Sequence, residues 1–146
     1  MNKKSIYRIG VFLFLAASAL MACTLHAQAV SSLTVHITGI RNTKGNILIA
    51  LYRDSKFAKA QGVEIDAKTL SAVAVFNNLP QGVYSVELFH DENRNGKMDR
   101  NLFGMPVEGY GFSNNPKKRM GKPGFDETNF QLNQAECTIE IKMIYW

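Results

Sequence analysis

The sequence predicts an all-β protein: an antiparallel β-sandwich of about seven strands, with one short helical turn and a long loop over residues 90–124. Two observations carry this reading. Apolar and polar residues alternate at period two in several segments of strand length. Clusters of Gly, Pro, Asn and Asp separate those segments.

The first 29 residues do not belong to the sandwich. Lys3, Lys4 and Arg8 form a positive start, Val11 to Ala22 is an apolar run, and Ala27-Gln28-Ala29 is a small-x-small cleavage site. That is the pattern of a secretory signal peptide, and the run is too short to span a bilayer comfortably. Leu20-Met21-Ala22-Cys23 offers a second route, a bacterial lipobox that would lipidate Cys23 and give an outer-membrane lipoprotein. Cleavage after Ala29 is preferred because its site is clean. Both routes export the protein, to the periplasm or beyond, and cleavage after Ala29 leaves no transmembrane span. The product, residues 30–146, is one domain of 117 residues. The full chain carries 17 Lys+Arg against 12 Asp+Glu, but three of the basic residues lie in the leader. The remainder, 14 against 12, is a net charge of +2, so global charge gives no support to nucleic-acid binding. Cys137 is then the sole cysteine, which excludes an internal disulfide. It begins a strand, where a small apolar role is expected.

Along the domain, Leu33, Val35 and Ile37 alternate with Thr34, His36 and Thr38. The turn 41–46 leads to an apolar strand, Ile47 to Tyr52, so residues 33–52 read as a hairpin. Asp54 or Ser55 is placed to cap a short helical turn with Phe57 on its inner face. Residues 61–70 read as irregular. Ala72 to Phe76 is a strand, 77–82 a turn, and Val83 to Phe89 a strand with Tyr84, Val86 and Leu88 on one face. Phe130 and Leu132 mark a short strand. Ile139, Ile141, Met143 and Tyr145 mark the last one. Between Phe89 and Phe130 lies a segment broken by Gly104, Pro106, Gly109, Gly111, Pro116, Gly121 and Pro123. A structureless loop of that length is usually functional or held by something.

That segment begins with the most specific chemistry in the chain. Asp91, Asn93, Asn95 and Asp99 place side-chain oxygens at loop positions 1, 3, 5 and 9, with Gly96 at 6 and the Lys97 carbonyl at 7, the spacing of a calcium loop. Calcium takes six to eight oxygens, and position 12, an acidic ligand in an EF-hand, is Leu102 here. Glu108, loop carbonyls or water would have to supply the remainder. The competing reading is an Asx-rich turn closed by its own hydrogen bonds, with no metal. Phe103, Tyr110 and Phe112 follow among glycines. They would either contact a partner or pack the loop onto the sandwich, and packing is the plainer account. Lys117, Lys118, Arg119 and Lys122 form a basic run best read as a solvated face. A copper site from His90, Met98, Met105 and Met120 lacks tight spacing, so packing explains these methionines better. No Gly-x-Ser-x-Gly or His-Glu-x-x-His occurs.

Phe76-x-x-Leu79-Pro80-x-Gly82-x-Tyr84 resembles the corner of prealbumin-like and collagen-adhesin B-type sandwiches. It implies a buried Tyr84 that hydrogen-bonds back across the turn. Together with Leu33 to Ile49, the run His90-Asp91-x-Asn93-x-Asn95-Gly96-x-x-Asp99 and then Gly104-x-Pro106-x-Glu108-Gly109-Tyr110-Gly111-Phe112-Ser113, it resembles the bacterial secreted family known as domain of unknown function 2141. The resemblance implies an exported prealbumin-like or Ig-like Greek-key sandwich and no defined activity. Calcium loops of adhesin B repeats keep an acidic residue near position 12, from which Leu102 departs. The transthyretin-like hydrolases share the sandwich but end in Tyr-Arg-Gly-Ser, unlike Lys142-Met143-Ile144-Tyr145-Trp146, so their activity is not implied. The expectation is a non-enzymatic envelope module that binds a protein or glycan. The alternatives are a small hydrolase using Asp91, Glu108 or His90, and a purely structural domain.

Overall fold

The computed structural model describes residues 29–117 and 121–146. The leader through Gln28, including the Cys23 lipidation site, lies outside the described residues, as do Lys118, Arg119 and Met120. The described strands are β1 (Val30–Thr38), β2 (Asn46–Arg53), β3 (Lys56–Val63), β4 (Ala72–Pro80), β5 (Gly82–Asp91), β6 (Tyr110–Phe112), β7 (Asn129–Leu132) and β8 (Glu136–Lys142). One short helix, α1 (Phe125–Thr128), precedes β7. The strands form two sheets. The small sheet has the order β4-β1-β8, and the large one β3-β2-β5-β6. β7 shares the edge of β5 with β6, pairing with Gly82–Ser85 while β6 pairs with Glu87–Phe89.

Period-two alternation builds the core. Leu33, Val35 and Ile37 from the small sheet meet Ile47, Ile49 and Leu51 from the large one, joined by Val86, Leu88 and Ile141, all essentially inaccessible to water. Each such side chain contributes roughly 1.5–3 kcal/mol on burial. Tyr84 closes the core at the β4–β5 corner as expected: its ring is buried and its hydroxyl donates to the Pro80 carbonyl at 2.7 Å. Cys137 is half-buried in β8, and burial pushes its thiol up, which suits an apolar role rather than a reactive one.

Three expectations need correction. Residues 33–52 are not a hairpin, because β1 and β2 lie in different sheets. Their apolar sets pack across the sandwich instead of side by side, and the chain crosses over through Gly39 and Gly45, both at positive φ. The helical turn after Asp54 is a hairpin turn joining β2 to β3. Asp54 and Ser55 adopt φ 48° and 64°, the conformation that two-residue hairpin turns require. Phe57 consequently faces outward, 65% exposed, and β3 occupies the first part of the segment read as irregular. The helical turn forms instead at α1, where Glu127 Oε2 accepts the Gly124 N–H at 3.0 Å. Finally, the sandwich is not wholly antiparallel. β8 arrives from the other sheet and pairs with β1 in parallel.

Candidate functional site

The loop after β5 is closed by its own side chains. Asp91, 2% exposed, accepts the Asn95 N–H at Oδ1 (3.0 Å) and the Gly96 N–H at Oδ2 (2.7 Å). Gly96 sits at φ 74°, which permits the bend. The amides of Asn93 and Asn95 donate to the Asp99 carboxylate, while their oxygens accept the N–H groups of Asn95 and Lys97. Glu108, also buried, lies beneath the loop. Its Oε1 accepts Glu92 N–H at 2.9 Å and its Oε2 accepts Asp99 N–H at 3.0 Å, so one carboxylate ties together the two ends of the loop. Lys97 contributes its backbone to this network. Among the described residues, no three His, Cys, Asp or Glu side chains gather in a metal-binding arrangement.

A second network fixes the loop to the sandwich. His90 is fully buried, with Nε2 at 2.6 Å from the Lys44 carbonyl and Nδ1 at 2.9 Å from the Tyr145 hydroxyl. A carbonyl only accepts, so Nε2 carries the proton. The Tyr145 hydroxyl in turn accepts the Arg41 N–H at 3.2 Å. Both His90 nitrogens are engaged in hydrogen bonds. The Arg41 guanidinium stacks on Tyr145 at 4.7 Å and pairs with Glu92, which also receives the Asn42 amide. Burial works to raise the Glu92 carboxyl. The hydrogen bonds from Asn42 and Arg41, with the Arg41 charge, outweigh it and hold the group below its ordinary range. Gly45 and Gly109 are the close-approach positions here. A β-carbon at Gly45 would lie 1.8 Å from the Asp91 carbonyl, and one at Gly109 would lie 2.2 Å from the Tyr145 ring.

The held loop walls a groove of about 770 Å³ on the outer face of the large sheet. Its floor is built from outward-facing residues. Ala50 pairs with Ala60, and Leu48 with Phe89, while Tyr110 and Phe112 project from β6. The two alanines leave the trough hollow. Met98, Met105, Phe103 and Trp146 supply the walls. The loop tip is self-supported. Asn101 Oδ1 accepts the N–H groups of Phe103 and Met105, Arg100 donates to Gly104 O, and Leu102 and Phe103 stand almost fully exposed. The expected partner-contacting residues Phe103, Tyr110 and Phe112 therefore come together, with Tyr110 and Phe112 half-buried and stacked edge-on. Asp91, Glu108 and His90 do not line the groove. Its one side-chain carboxylate among the described residues, Glu87, accepts the Tyr52 hydroxyl and pairs with Lys122. That hydrogen bond, then burial and the Glu87 charge, push the Tyr52 phenol up to about 12.

Residues 35–140 match the sequence profile of a bacterial family described as an uncharacterized protein conserved in bacteria, domain of unknown function 2141. The chain belongs to this family. The domain of unknown function 2141 match runs from the middle of β1 into β8, so it takes in the braced loop and every groove residue except Trp146. No curated protein and no solved structure matches the chain. Among the described residues, no helix is long and apolar enough to cross a membrane.

Reading residues along the chain locates the loop cluster and the aromatic segment. It misses Arg41 and Tyr145, which meet the loop from far away in sequence, and the pairing of Arg41 with Glu92 inside the loop. It also misses the groove floor. The available signal was the unbroken apolar run Ile47 to Leu51, since a strand with one wet face would alternate.

Proposed function

We propose that this chain is an exported, non-enzymatic binding module of the cell envelope that takes an apolar group of its partner into the groove on the large sheet. The observation that carries the reading is the groove itself. Its volume falls within the roughly 300–1,000 Å³ of small-molecule sites, and its lining is apolar with few polar groups. A glycan, one of the two expected partner classes, suits that lining poorly, because its hydroxyls would lose water without gaining partners. The loop 91–99 acts as the bracket that holds the covering segment in place. Export rests on the leader pattern of residues 1–29. Mass spectrometry of the processed chain distinguishes a start at Val30 from a lipidated Cys23.

The direct test uses phenylnaphthylamine, a neutral dye that brightens in apolar surroundings. It should bind saturably, and Ala60→Phe, which fills the trough from an exposed position, should weaken it severalfold. A dye that does not bind the folded protein contradicts the reading.

Calcium is the second element of the proposal. Asp91, Asn93, Asn95, Asp99 and the Lys97 carbonyl fit the donor chemistry of a hard cation, with Glu108 in support, and two loop carboxylates imply a weak site of about 0.1–1 mM. Millimolar calcium should raise the melting temperature, and Asp91→Ala should abolish the rise. An unchanged melting temperature leaves the hydrogen-bonded turn as the working form of the loop.

A further inference from the structure

We propose that the ligand of this groove is an anionic amphiphile, an unbranched acyl chain whose carboxylate or phosphate head is held by Arg100. The inference rests on the reading of the groove as a binding site and adds the class of ligand. Three features support it.

The first is shape. The Ala50–Ala60 pair forms a shallow channel across β2 and β3, bounded by Leu48 and Phe89. Met98 and Met105 line it with unbranched thioethers, which adapt to a flexible chain better than branched side chains do.

The second is polarity. Glu87, the only side-chain carboxylate at the groove among the described residues, is already committed to Tyr52 and Lys122. An extended peptide would bring backbone N–H and C=O groups onto a floor that offers them few partners, at a cost for each unmet group. A hydrocarbon chain carries none.

The third is charge. Arg100 lines the groove, and its sole hydrogen bond goes to the Gly104 carbonyl. Among the described residues it has no carboxylate partner. Its guanidinium has five donors in a planar fork, and the Gly104 contact uses one of them. That fork matches the paired oxygens of a carboxylate or phosphate. The site therefore joins an apolar trough to an arginine with no carboxylate partner among the described residues, complementary to an apolar chain with an anionic head.

The full chain carries its own reporter, because Trp146 is the only tryptophan and lines the groove. Four probes below their micellar concentrations separate head from tail: dodecanoate, dodecyl phosphate, dodecyltrimethylammonium and acetate. Dodecanoate or dodecyl phosphate should shift Trp146 emission to the blue and saturate, and the tighter of the two identifies the head. Dodecyltrimethylammonium should bind about fivefold more weakly, and acetate should do nothing. Arg100→Gln should reduce the anion-over-cation preference about threefold to fivefold, the scale of an exposed ion pair. Both Arg100 and Ala60 are exposed, so Arg100→Gln and Ala60→Phe should keep the wild-type circular dichroism. Ala60→Phe should weaken both charged chains alike. Equal binding of anionic and cationic chains, or a preference unchanged in Arg100→Gln, overturns the proposal. So does the absence of a saturable shift with either anionic chain. If phenylnaphthylamine still binds in that case, the groove stands as a binding site and only this ligand class is lost.

Discussion

The two sheets of this sandwich bury similar inner faces but present opposite outer ones. On the small sheet, Thr34, His36 and Thr38 lie beside Thr138, Glu140 and Lys142, a surface made for water, with Val73 and Val75 as half-exposed exceptions. On the large sheet the corresponding positions are Leu48, Ala50, Phe89, Tyr110 and Phe112. An antiparallel sheet needs only one apolar face to fold. A second apolar face demands a cover, and here the segment 98–106 with Trp146 covers it without filling the space beneath. One face of β2 thus supports the fold, and the other is the floor of the groove proposed as the binding surface.

Adjacent residues of β2 break that comparison most sharply. Ile49→Ala, facing the core, should cost about 2–5 kcal/mol in denaturant unfolding. Leu48→Ala, one residue away and facing the groove, should cost less than half as much, yet weaken phenylnaphthylamine binding severalfold. Equal destabilisation would mean that the outer face is simply a second core. Glu108→Ala comes next. It leaves the Glu92 and Asp99 N–H groups without their acceptor, and a loss of about 2–3 kcal/mol is expected, with dye affinity falling as the bracket loosens. On the small sheet, Thr34→Ser should change stability by under about 0.5 kcal/mol and leave dye binding untouched.

Two pH effects are smaller and opposite in sign. The folded Glu92 carboxyl titrates below its unfolded value. The stability it contributes is therefore complete above the ordinary glutamate range and is lost as pH falls through the folded value. Arg41→Met should reduce that acid sensitivity in melting curves. The Tyr52 phenol, raised from 10 to about 12, contributes stability that is complete below pH 10 and lost as pH rises toward 12. Tyrosinate absorbance of wild type against Tyr52→Phe would show one phenol titrating late.

The sequence made β1, β8 and the Tyr84 corner legible because their patterns are local: alternation shows which side chains are buried. Alternation does not show which sheet a strand joins, and so β1 and β2 read as a hairpin although they face each other across the core. Asp54 and Ser55 read locally as caps of a helical turn, and only the pairing of β2 with β3 makes them a hairpin turn. The cluster Asp91, Asn93, Asn95 and Asp99 was readable from spacing alone. Arg41 and Glu92, 51 positions apart, and the Ala50–Ala60 channel required the fold, since no local pattern links them.

The central claim, that the outer face of the large sheet is the binding face, is tested most directly by amide chemical-shift mapping on addition of phenylnaphthylamine. Shifts confined to Leu48, Ala50, Ala60, Phe89, Tyr110, Phe112 and the loop 98–106 are expected. Shifts centred instead on Thr34, His36 and Thr138, or no shifts at saturating dye, would contradict it.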